Sequence, residues 1–133
     1  MISKVLIASF VYLVALIPGQ REVVGNLLYY KGTIGADTQI QMNFEINENG
    51  TAEGSYIVEK SGELFVLEGS VSEKSQKIYF VVYNKERKKV AVIDATYYID
   101  MDQQIQDIEG VWKPFDGNAA LRLKLEKIAE VIV

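Results

Sequence analysis

The chain has 133 residues, enough for one domain around a single core, and carries 14 Lys and Arg against 18 Asp and Glu, a formal charge of −4. Cysteine and histidine are both absent. Their absence excludes disulfides, thiol nucleophiles, thiolate metal sites and imidazole acid–base catalysis, leaves zinc only carboxylates, and joins an acidic balance without the basic footprint of a nucleic-acid binder.

Near its start the chain carries Lys4, an apolar run from Val5 to Ile17, and then Pro18-Gly19-Gln20. The run is short for a membrane span and suits the apolar region of a secretory signal, with Gly19 as the small residue at the cleavage point. Residues 1–20 are therefore expected to be a signal segment and 21–133 a single domain, secreted or periplasmic. With no cysteine a lipoprotein anchor is excluded. The rival readings are an uncleaved anchor, giving transient membrane contact, and a buried N-terminal helix.

Beyond Arg21 the pattern is strand, turn, strand. A first strand is expected near Leu27 to Ile34. Ile40, Met42, Phe44 and Ile46 then alternate with Gln39, Gln41, Asn43, Glu45 and Asn47, the period of two of a strand with one dry face. Asn49-Gly50 is a strong hairpin signal. Further strands are expected over Gly54 to Val58, Leu64 to Val71, Lys77 to Asn84, Val90 to Ile99, Gln104 to Lys113 and Ala119 to Ile128. The run Lys85-Glu86-Arg87-Lys88-Lys89 lies between two apolar strands and reads as a solvated hairpin tip.

Short turns leave no room for crossover helices, so neighbouring strands must be antiparallel. About eight such strands in an up-and-down meander leave two edges unless the sheet closes. The expected fold is therefore all-β, an antiparallel barrel of about eight strands, with a two-sheet sandwich as the alternative. Pro18 and Pro114 both fall outside the expected strands. Gly32, Gly54, Gly69 and Gly110 fall inside them and point to bends or bulges at tight corners.

Several short patterns carry a resemblance: Tyr30-Lys31-Gly32-Thr33-Ile34-Gly35, Ile40-x-Met42, Gly54-x-Tyr56, Leu67-x-Gly69, Gly110-x-Trp112 and Asp116-Gly117. Together they resemble small exported bacterial eight-stranded β-barrel domains, over most of the chain after the signal-like segment. The topology is similar to that of avidin and lipocalin barrels. Two departures matter. Trp112 is the single tryptophan, whereas avidin-type biotin sites are walled by several. Leu27-Leu28-Tyr29-Tyr30 stands where lipocalins carry Gly-x-Trp. The resemblance thus implies an exported closed barrel and assigns no ligand residues.

Alternation places Met42, Phe44, Ile46, Tyr56, Val58, Phe65, Leu67, Ile93, Tyr97, Ile108, Trp112, Leu121, Leu123 and Leu125 inward. Such an interior is either a filled core or a pocket for a small apolar ligand, with Tyr56, Phe65, Tyr97 and Trp112 as its candidate binding residues. Tyr29, Tyr30, Tyr79, Phe80, Tyr83 and Tyr98 cannot all point inward as well. Tyr79, Val81 and Tyr83 alternate with Ile78, Phe80 and Val82, so that strand is apolar on both faces and its outer face needs cover. The cover is the N-terminal segment, the tail from Ile128, or another subunit, and Tyr79 and Tyr83 are the candidate interface residues.

The strong candidates for chemistry are the carboxylates Glu68, Asp94, Asp100, Asp102, Asp107 and Glu109. Alternation puts Glu68, Asp94, Asp107 and Glu109 outside. Asp100 and Asp102 with Gln103-Gln104 form a polar turn that matches no EF-hand spacing. The expectation is a binding protein without catalytic activity, resident cofactor or metal, which takes a protein partner or a small apolar ligand and no nucleic acid. The alternatives are an inhibitor of a secreted hydrolase and a membrane-tethered envelope protein. Oligomeric state is left open.

Overall fold

The computed structural model describes residues 27–117 and 119–128. It contains eight strands: β1 (Leu27–Ile34), β2 (Thr38–Ile46), β3 (Thr51–Val58), β4 (Leu64–Ser72), β5 (Lys77–Tyr83), β6 (Lys89–Ile99), β7 (Ile105–Pro114) and β8 (Leu121–Ile128). Each pairs antiparallel with the next, and β1 also pairs with β8 from Tyr29↔Ile128 to Ile34↔Leu123. The sheet is thus closed, and the sandwich alternative does not hold. The expected signal segment and the last five residues lie outside the described residues.

Local chemistry sets each reversal. Asn47 N–H donates to Thr51 O (2.8 Å) across the β2–β3 turn, where Gly50 takes φ +89°. This turn is tight, so β3 starts at Thr51, three residues before the alternation predicts. The Asn84 side-chain oxygen accepts from the N–H groups of Glu86 and Lys88 and closes the basic β5–β6 tip. Asp100 does the same for Asp102 and Gln104 in the β6–β7 turn, as that polar run predicts. Pro114 differs from expectation: it is the last residue of β7, opposite Ala91. A terminal position tolerates the missing donor, and the ladder contact passes to Phe115 N–H on Val90 O (3.1 Å).

The turns define two ends. One end holds the β2–β3, β4–β5 and β6–β7 turns, the start of β1 and the finish of β8. The other holds the β1–β2, β3–β4, β5–β6 and β7–β8 connections. Between them the lumen is packed solid. Phe44 on β2 meets Phe80 on β5 edge to face at 5.4 Å, and these strands are not neighbours, so the contact crosses the interior. Tyr30 stacks on Phe44 at 5.6 Å and its hydroxyl donates to Gln106 O on β7 (2.8 Å). Tyr30, Phe44, Phe80, Ile40, Leu67, Ile78, Ile93, Ile108 and Leu123 are fully buried around these rings. Of the tyrosines and phenylalanines left over by alternation, Tyr30 and Phe80 turn inward. Tyr79 and Tyr98 are exposed, and Tyr29 and Tyr83 are half-buried.

Leu121 corrects the inward list. It keeps the parity of Leu123 and Leu125 but is 42% exposed. It is the first residue of β8, opposite the half-buried Trp112, and lies beyond the level at which facing strands cover the interior.

The strand glycines mark close approach. Gly54 faces Phe44 and Gly69 faces Phe80 in the register. A Cβ on Gly54 would meet the backbone of Asn43 and Phe44, and one on Gly69 that of Tyr79 and Phe80. The irregularities of the ladder fall elsewhere, at Val82/Tyr83 and Tyr97/Ile99. The glycines are thus corners rather than bulges.

Candidate binding site

Parity is correct that Tyr56, Phe65, Tyr97 and Trp112 share the inner face, but they fall at opposite ends of it. Tyr56 and Phe65 are register partners on β3 and β4 and stack at 5.0 Å. Trp112 on β7 reaches across the lumen to donate its indole N–H to the Tyr56 hydroxyl (3.1 Å). These three side chains plug one end. Burial raises the Tyr56 phenol well above its ordinary range, the Trp112 hydrogen bond pulls it back, and Glu63 pushes it further up. A neutral phenol that already accepts from the indole is a structural strut.

Tyr97 lies at the other end. Its hydroxyl donates to Ser72 O on β4 (3.3 Å), and burial raises its pKa, with a smaller push from Glu73. It lines a bowl of about 790 Å³ sunk into this end of the barrel. The floor is apolar: Leu28 from β1, Ile46 from β2, Val71 from β4, Tyr97 and Ile99 from β6, and Ile105 from β7. The rim is polar: Asn47, Glu48 and Asn49 from one turn, Glu73 and Gln76 from the next, and Gln103 and Gln104 from the third. Glu48 and Glu73 are the charged side chains among the described residues lining it, so the rim is negative. Tyr98 and Met101, beside Ile99 in the chain, add exposed apolar surface at the same end, Met101 almost entirely so at 96%.

The lining sets apolar side chains on the floor against a polar rim of equal weight, so a bound molecule would meet apolar surface below and polar groups all round its edge. Of the expected binding residues, only Tyr97 belongs to it. Leu28, Ile46, Val71 and Ile105 are missed because alternation tells inside from outside but not one end of a strand from the other. The usable signal was position: each lies within two residues of a strand terminus at the end carrying the β2–β3, β4–β5 and β6–β7 turns.

The candidate interface residues Tyr79 and Tyr83 point outward on β5, Tyr79 at 44% exposure and Tyr83 half-buried. The outer face around them is mixed, with Val66, Val81 and Val92 half-buried, Val111 exposed, and the exposed charges of Glu68, Asp94 and Lys113 set among them. The carboxylates are dispersed. Glu68, Asp94 and Asp107 are exposed on the outer face, and Glu109 pairs with Arg122 at 3.7 Å. Among the described residues no group of three or more acidic side chains could hold a metal.

Comparison with known proteins finds no matching family model, curated protein or solved structure. The reading of the site therefore rests on its own geometry.

Proposed function

We propose that this chain is an exported small β-barrel binding protein, without catalytic activity, that takes a small apolar ligand at the open end of the barrel. The observation that carries this reading is the bowl with an apolar floor and a polar, acidic rim. The solid lumen sends the ligand there, because aromatic side chains already cross the interior between β2 and β5 and between β3 and β7. Export rests on the apolar segment Val5 to Ile17 and its Pro18-Gly19-Gln20 boundary. The likeness to lipocalin and avidin barrels lies in the meander and in an opening at one end.

The rim selects the ligand class. Glu48 and Glu73 disfavour an anionic head group, so the preferred ligand is neutral or cationic, unlike a fatty acid. Two dyes with the same ring system test this: neutral N-phenylnaphthylamine and its anionic sulfonate relative, anilinonaphthalene sulfonate. The full chain should enhance the fluorescence of the neutral dye at about one-to-one stoichiometry. Ile99→Glu, which puts a charge into the bowl at a side chain already 36% exposed, should abolish that enhancement while the chain stays folded in melting curves. No saturable enhancement with the folded chain would refute the reading.

A further inference from the structure

The outer face of β5 and β6 has a charge pattern complementary to itself. Across the strands the register sets Glu68 on β4, Val81 on β5, Val92 on β6 and Lys113 on β7 in one row. The next row runs Ser70, Tyr79, Asp94 and Val111 on β4, β5, β6 and β7. A half-turn about an axis along the strands, midway between β5 and β6, lays the first row on its complement and, in the second, sets Tyr79 on Asp94, with Ser70 and Val111 outermost. In a second copy placed this way, Val81 faces Val92, Glu68 faces Lys113, and Tyr79 faces Asp94, each contact occurring twice.

Shape agrees with charge. Two barrels laid side by side touch along the β5–β6 seam and diverge to either side. The valines are short and lie on the strands flanking the seam. Glu68 and Lys113 lie one strand further out, about 7 Å from it at the usual strand spacing, where the gap widens and long side chains are needed. Both are exposed. Among the described residues, Asp94, Lys113 and the Tyr79 hydroxyl have no hydrogen-bond or ion-pair partner within the chain, and Glu68 has only an exposed contact with Arg87 at 4.0 Å.

We infer that this face is a two-fold interface between copies of the chain, with Val81 and Val92 at its centre, Tyr79 donating to Asp94 of the other copy, and Glu68 paired with Lys113 of the other copy. The inference is independent of what the open end binds. Tyr79 supplies amphipathic contact area, and the flanking charges fix the register.

Charge exchange tests it, read by sedimentation velocity on the full chain over a concentration series. The wild-type chain should show a monomer–dimer equilibrium. Glu68→Lys puts two Lys-Lys pairs in the dimer, and Lys113→Glu puts in two Glu-Glu pairs. Each alone should weaken association by at least about tenfold. Mixing the two single variants should restore a dimer, since each then offers the charge the other lacks, and the double variant should dimerise by itself. All substituted positions are exposed, so unchanged melting curves separate association from folding. A wild-type chain that stays monomeric overturns the inference. So does a dimer indifferent to the single variants, or failure of the mixture to recover.

Discussion

Trp112 shows what a single side chain does in a barrel of this size. It is half-buried, yet its indole N–H is the link that ties β7 to β3 through the Tyr56 hydroxyl. Trp112→Ala removes both the packing and that bond and is expected to cost about 3 kcal/mol, the low end for a large aromatic truncation because part of the ring is wet. Tyr56→Phe keeps the ring stack on Phe65 and removes only the acceptor, at about 1 kcal/mol. Urea unfolding measures both, and a Trp112→Ala loss below about 1 kcal/mol would show the plug to be unnecessary. A second row acts in the opposite direction. Glu45, Glu53 and Glu68 are register partners on the outer face of β2, β3 and β4. The pKa of Glu45 is raised, first by burial and then by Glu53. The groups facing it across the ladder are Glu53 on one side and Leu27 on the other, and Arg87 reaches only Glu68. A carboxyl whose pKa is higher in the folded chain than in the unfolded one binds protons more tightly when folded. Its effect is therefore destabilising at neutral pH and is relieved as pH falls through the folded pKa. Glu53→Gln should stabilise the chain at pH 7 by roughly 0.2–1 kcal/mol, and the gain should shrink in melting curves taken near pH 4. A gain that grows on acidification would contradict the assignment.

At the scale of the strand, glycine sets the curvature. Gly54 and Gly69 each lie so close to the neighbouring backbone that a methyl group has no space. Gly54→Ala and Gly69→Ala should each cost at least about 3 kcal/mol, because the obstruction is main chain and cannot rotate away. Gly62 provides the contrast. It has open space around it and only a φ of +75° to maintain, so Gly62→Ala should cost about 1–2 kcal/mol. Equal losses at Gly62 and Gly69 in chemical denaturation would remove the distinction between conformation and close approach. These glycines also show how far the sequence is legible. Period-two alternation and short turns were sufficient for eight antiparallel strands and for closure, because a slip of one residue would turn every apolar side chain outward. The same glycines read as bends or bulges, since nothing in a single strand tells which neighbour presses against it. Alternation set Tyr79 apart from Phe80, but Tyr30 could not be separated from Tyr29 by residue type. Register separates Tyr29 from Tyr30, and register is a property of pairs of strands. Tyr97 was grouped with Tyr56 and Trp112 because parity carries no information along the barrel axis, and that coordinate decides whether an aromatic side chain plugs one end or floors the other.

For the whole molecule, closing the sheet and filling it are separate outcomes. Closure removes the edges at which strands would aggregate. Filling follows from side-chain size: with Tyr30, Phe44 and Phe80 meeting in mid-barrel, an eight-stranded lumen has no room left for a ligand. What remains is one end plugged by Trp112, Tyr56 and Phe65, and one end hollowed above Tyr97. The two ends are therefore expected to respond separately. Ligand at the hollow end should leave the Trp112–Tyr56 contact undisturbed. The most direct test is chemical-shift mapping of the isotope-labelled full chain on titration with N-phenylnaphthylamine. Saturable shifts are expected at about one equivalent, confined to Leu28, Ile46, Val71, Tyr97 and Ile105 and the turns around them, with the Trp112 indole resonance unmoved. Shifts centred on Tyr56, Phe65 and Trp112, or no saturable shift at all, would contradict that expectation.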